Sequence, residues 1–252
     1  MRLMIKVINV RLSLVTVFIV LFALLPVLVI ADEPATASTA GIKSHSHNET
    51  GSETGSETAI EAGITAVDDK DYVKAFSVFS PLATQGNAEA QYNLAMLYRT
   101  GKGTAKNLKE SHAWFRRAAD QGVSDAQYYL GYLYDNGEGA EQNPEYAVVW
   151  YRKAAEQGHG LAQINLGFFY ANGIGVQQDI EQAYLWFHVA AAQGYKIAFE
   201  NKNLIEDAYK KQEDGTVLLE ALKKRAREFF LKVVTPFGRP SLVGQPGKMP
   251  TH

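Results

Sequence analysis

The sequence predicts an all-α solenoid, a stack of helix pairs, and three observations predict it. From residue 87 the chain repeats itself every 36 residues. Within each repeat, apolar residues recur at helical rather than strand spacing. Glycines and capping residues punctuate every repeat at the same places. A fixed period of this length belongs to architectures in which each unit buries its face on the next.

The windows are 87–122, 123–158 and 159–194, and eleven of the 36 positions are identical in all three. They include Ala90/Ala126/Ala162, Gln91/Gln127/Gln163, Leu94/Leu130/Leu166, Tyr98/Tyr134/Tyr170 and Trp114/Trp150/Trp186. All three tryptophans of the chain fall on this register.

The elements follow in chain order. Arg2, Lys6 and Arg11 precede Leu12 to Ile30, a run of 19 residues without a charge. This reads as a secretory signal over residues 1–31, cut after Ala31, or as a retained anchor. Either way Asp32 onward is expected outside the cytoplasm, periplasmic or tethered to the inner membrane through residues 12–30 and facing outward. Residues 32–58 read as a disordered linker. Gly51-Ser52-Glu53-Thr54 is repeated at once as Gly55-Ser56-Glu57-Thr58, and nothing there can bury enough apolar area to offset ordering. The helical domain is expected over 59–234. Its first unit, 59–86, ends like the repeats, with Val78 where tryptophan would stand.

Each full window holds two helices. In the first window Ala90, Leu94, Leu97 and Tyr98 share one face, and Gly101 ends the helix. Asn107, Asn143 and Asp179 stand as N-caps of the second helices, with Pro144 at a first helical position. Gly122, Gly158 and Gly194 end those helices. Gly131 and Gly167 lie inside first helices, so a neighbour is expected to approach closely there. The tryptophans are expected as wedges between helix pairs.

After Gly194, Ala198 begins a further helix. A capping helix is expected over 216–233, with Leu218, Leu222, Ala226, Phe229 and Val233 on its apolar side. A proline-containing tail over 235–252 is expected to be flexible.

The repeat pattern runs Ala-x-x-x-Leu-Gly-x-x-Tyr-x-x-Gly-x-Gly, then Asn/Asp-x-x-x-Ala-x-x-Trp-Tyr/Phe-x-x-Ala-Ala-x-Gln-Gly. It resembles the Sel-one-like repeat (SLR) family, which is similar to the tetratricopeptide repeats. Ala95 and Ser111 are mild departures. The resemblance implies a right-handed α/α solenoid that acts as an adaptor. A cysteine-rich branch of the family has been linked to β-lactam binding or hydrolysis, which leaves a hydrolase as an alternative.

Composition weighs on that alternative. The chain has no cysteine, which excludes disulfides, thiolate zinc sites and a cysteine nucleophile. Without residues 1–31, 22 basic residues face 27 acidic ones, a net charge of −5, so no basic field recruits nucleic acid. No Gly-x-Ser-x-Gly elbow occurs. Asp120, Asp125, Asp135 and Glu156 are expected at scattered solvent-facing positions. His45 and His47 are too few for a metal site, and His112, His159 and His188 fall at unrelated register positions. No catalytic residue, metal or cofactor is expected.

Positions that differ between repeats carry the functional signal. In the first helices these are Asn93/Tyr129/Asn165, Met96/Tyr132/Phe168 and Arg99/Asp135/Ala171, at i, i+3 and i+6 on one face. Stacked, they would line a concave wall suited to a peptide. The candidate groove residues are therefore Asn93, Met96, Arg99, Tyr129, Tyr132, Asp135, Asn165 and Phe168. The alternative is that these aromatics only pack against the next helix. The expected partner is a protein or peptide of the cell envelope, with cell-wall glycan as a further alternative.

Overall fold

The computed structural model describes residues 53–234, which form ten helices and no strands. The signal segment, residues 32–52 and the tail after Val234 lie outside the described residues. The helices are α1 (Glu53–Asp68), α2 (Tyr72–Thr84), α3 (Ala88–Thr100), α4 (Leu108–Asp120) and α5 (Ser124–Asn136). Then come α6 (Pro144–Glu156), α7 (Gly160–Asn172), α8 (Ile180–Ala192), α9 (Lys196–Lys210) and α10 (Gly215–Val234). Each packs on its neighbours in chain order, and α10 packs on both α8 and α9. The pairs α3/α4, α5/α6 and α7/α8 are the three sequence repeats. The protein is an all-α solenoid.

Two expectations need correction. Helix α1 begins at Glu53, inside the stretch read as linker. Ile60 and Ala66 bury against α2, and helix propagation carries the polar turn before them along. In α10, Leu218 is 48% exposed, while Leu219, Leu222, Ala226 and Val233 are buried. Leu219 takes the place expected for Leu218, while Leu222, Ala226 and Val233 are buried as expected and Phe229 packs on Trp186.

Caps set the helix limits. The Asn107, Asn143 and Asp179 side chains accept from the backbone N–H groups of Glu110, Tyr146 and Gln182 at 3.1, 2.9 and 2.9 Å. The backbone N–H of each cap donates back to the carbonyl of Tyr98, Tyr134 or Tyr170. Each 36-residue unit is thus closed on itself. Glycines act in two ways. Gly122 has φ +92 and open space around it, so its use is conformational, ending α4. Gly139 also has a positive φ, but a Cβ there would collide with the Leu108 carbonyl, so the loop must lie flat on the start of α4.

The close approaches expected at Gly131 and Gly167 are present. A Cβ on Gly131 would stand 2.8 Å from the Tyr151 ring, and one on Gly167 2.8 Å from the Phe187 ring. Both neighbours belong to the second helix of the same repeat. Trp150 and Trp186 are buried, and half-buried Trp114 packs against two successive apolar clusters.

A buried amide ladder ties repeat to repeat. Gln91, Gln127 and Gln163 each donate through Nε2 to the carbonyls of Ala83, Ala119 and Ala155, at 3.0–3.1 Å. Their Oε1 atoms accept from Gln121, Gln157 and Gln193 at 2.7–2.8 Å. Each glutamine thereby adds a second bond to a helix-end carbonyl of the preceding unit, which also accepts from the N–H of Gly86, Gly122 or Gly158. In the next register position stands Phe199, 53% exposed, and the ladder ends.

Candidate functional site

All eight candidate groove residues are half-buried on the first helices α3, α5 and α7. Between the first and second repeats the structure joins them directly. The Arg99 guanidinium lies 4.9 Å from the Tyr132 ring centroid and 5.7 Å from that of Tyr129. Its Nε pairs with the Glu138 carboxylate at 3.2 Å. Tyr129 stacks on buried Phe115 at 5.2 Å and meets Tyr92 at 6.1 Å. Met96 packs against the same apolar cluster as Tyr129 and Tyr132. Asn93 donates to the Glu89 carbonyl. These side chains are both packed and partly open, so wall and core are one layer here rather than alternatives.

Between the second and third repeats the layer changes character. Tyr151 of α6 stands where the other repeats have Phe115 and Phe187. Its hydroxyl is buried without a well-formed hydrogen bond, with the Asn165 amide beside it and Asp135 and Tyr132 within electrostatic reach. Burial raises the Tyr151 phenol well above its ordinary range, and the Asp135 charge adds to that. Tyr132 and Phe168 pack against one apolar cluster. Asp135 replaces Arg99 in register, and Ile174 replaces Glu138.

Two carboxylates on this layer carry no cation among the described residues. Burial alone raises the carboxyls of Glu89 and Asp135 above the usual range. The expectation that Asp125 and Asp135 face solvent is therefore corrected: both are half-buried, whereas Asp120 and Glu156 are exposed. Asp135, at the end of α5, lies within electrostatic reach of Tyr151 on α6. Asp125 meets the His159 imidazole at 3.2 Å.

Several contributors were hidden from pattern reading. His159 caps α7 through Nδ1, which accepts from the Ala162 N–H at 3.1 Å, and its ring stacks on Tyr128 at 4.5 Å. A sequence signal existed, because Asn87 occupies the same register. Glu138 sits in a loop and Tyr151 on a second helix, so neither falls on a first-helix stripe. A second polar cluster lies near the end of the array. There Tyr184 donates to Glu206 at 2.9 Å, and Lys202 pairs with the same carboxylate at 3.0 Å. Burial, with the nearby charges of Lys202 and Arg227, lowers the His188 imidazole. Among the described residues, no group of three or more His, Cys, Asp or Glu side chains is placed to hold a metal ion.

Comparison with known proteins places this layer in context. The Sel1 repeat model matches residues 88–123, 124–159 and 160–195. A Sel1 repeat protein from Oxalobacter formigenes is similar in structure, with 29% identity, 68% of this chain and 82% of that chain covered, and a TM-score of 0.55. A protective antigen of uropathogenic Escherichia coli with an SLR fold matches at 27% identity and a TM-score of 0.47. That match covers 80% of this chain and 51% of the antigen, about half its length. No curated protein matches the chain.

Proposed function

Because this chain carries three Sel1 repeats, and proteins built of such repeats generally act as protein-interaction scaffolds, we propose that it is an exported scaffold holding a protein or peptide partner of the cell envelope. The partner lies in a concave groove along α3, α5 and α7. One observation carries this reading. The varying positions 93, 96, 99, 129, 132, 135, 165 and 168 are half-exposed and rich in tyrosine, asparagine and charge, Ala171 alone of the stripe being buried. The constant alanines, glutamines and leucines of the same helices (Ala90, Gln91, Leu94 and their counterparts) are buried. Tyrosine supplies contact area and hydrogen bonds at little entropic cost, which suits a recognition surface. The charged start and apolar run before Ala31 support export, and residues 12–30 would tether the scaffold if uncut.

Affinity capture from an envelope extract tests it, using residues 32–252 beside a Tyr129→Ala, Tyr132→Ala variant. Tyr129 stacks on Phe115, so the helicity of the variant is checked, and Asn93→Lys blocks the wall without removing a packed ring. A partner held by the native chain and lost by both variants supports the groove. Equal capture by all three places the binding surface elsewhere. Retention by insoluble peptidoglycan, with no protein captured, would replace the partner by glycan.

A further inference from the structure

The protein contains its own example of how this wall binds a cation. At the first junction the Arg99 guanidinium lies against Tyr129 and Tyr132 and is neutralised by Glu138. The combination of an aromatic face and a carboxylate holds a cation by quadrupole attraction and charge pairing together. At the second junction the register supplies one aromatic ring from the following repeat, and Tyr132, whose ring also meets Arg99, packs on the same cluster as that ring. Phe168 follows Tyr132, and Asn165 follows Tyr129. The cation, however, is missing: Asp135 stands in place of Arg99, and apolar Ile174 in place of Glu138.

The carboxylate of Asp135 is half-buried and has no ion pair among the described residues. An unpaired carboxylate in such a place weakens the fold, so its position calls for a use. The polar groups around it are particular to this repeat. Tyr151 alone of its register brings a hydroxyl to the layer, and Asn165 lies beside it. Glu89, also half-buried and without an ion pair, adds a further negative charge on the same series of helices.

We propose that the junction of the second and third repeats receives one lysine or arginine side chain of the partner, with Asp135 as its counter-ion and Tyr132 and Phe168 as its aromatic walls. The occupant is thus a basic peptide segment, and Asn165 and the Tyr151 hydroxyl supply hydrogen-bonding capacity around its charged head. This rests on the scaffold reading above and adds the chemistry of the ligand.

Panning a random dodecapeptide display library on the full chain in mild detergent tests it, in parallel with Asp135→Asn and Asp135→Lys. The expected peptides share a lysine or arginine at a fixed position and bind Asp135→Asn about tenfold more weakly. Asp135→Lys should enrich acidic peptides instead. Peptides without a shared basic residue, or equal binding to native and Asp135→Asn chains, would overturn the subsite while leaving the scaffold reading intact. Failure to enrich any peptide would overturn the scaffold reading itself. Stronger peptide binding after removal of residues 235–252, which carry Arg239 and Lys248 and no acid, would assign the site to the chain's own tail and overturn the partner.

Discussion

Single residues in this array can be judged against their counterparts one repeat away. Ser111 is fully buried and its hydroxyl has no hydrogen-bond partner, while Ala147 and Ala183 fill the same register. A buried, unsatisfied hydroxyl costs more than the methyl it replaces. Ser111→Ala should therefore raise stability by about 1 kcal/mol in urea unfolding. A loss would mean that the hydroxyl is partnered. Asp135 invites a similar test with a pH signature. Burial raises its carboxyl above the unfolded value, so its charge is a penalty above that raised value and is relieved as pH falls. Asp135→Asn should raise Tm at pH 7, with the gain shrinking as pH falls through the raised value and gone below about pH 3, where the acid is protonated in both states. A lower Tm at pH 7 would show that the carboxylate is already paired within the fold.

At the scale of the element, the loops and helix ends determine how repeats join. Gly139 combines a left-handed φ with backbone contact at Leu108, so Gly139→Ala suffers both strain and collision. A loss of about 3 kcal/mol is expected, whereas Gly122→Ala, with open space around it, should lose only about 1 kcal/mol. Equal losses would show that conformation alone matters at these turns. The glutamine ladder gives a second test. Gln127→Leu leaves the Gln157 amide without its acceptor and removes one of the bonds to the Ala119 carbonyl, which keeps the Gly122 N–H, for a loss of about 1–2 kcal/mol. The glutamines were legible as constant positions in the sequence. Their partner was not, because the hydrogen bond runs to the backbone of the preceding unit, and backbone carries no sequence signal.

Stability of the whole molecule depends on its ends and on pH. Trp186 packs edge-on against Phe229 at 4.9 Å, and Val233 joins the same cluster. Truncation before Gly215 removes four buried side chains of α10 and uncovers Trp186. A loss of roughly 5 kcal/mol is expected at about 1.5–3 kcal/mol for each large apolar side chain, with hydrogen exchange rising first in α8 and α9. Unchanged protection there would show that the array needs no cap. His112 and His188 are lowered chiefly by burial, so the unfolded chain takes up protons first. Stability should therefore decline as pH falls below about 6.5, before carboxylates titrate, and a His112→Asn, His188→Asn variant should flatten that slope in Tm.

The repeat length, the helix pairs, the caps of the second helices and the buried face of the first helices were all readable from the sequence. Those follow from periodicity and from local bonds spanning three or four residues, which neighbouring letters encode. The stripe of Asn93, Tyr129, Asp135 and the rest was also legible, as variation within a constant frame. Tertiary structure alone decided three things. It put Leu219 rather than Leu218 into the buried face of α10, because docking on two helices sets which side of the first turn faces in. It drew α1 back to Glu53. It also brought Arg99 to Glu138 and the Tyr151 hydroxyl to Asn165, joining a helix to a loop of the next repeat and a second helix to a first. Such pairings arise where separate units stack, and no spacing within one unit encodes them.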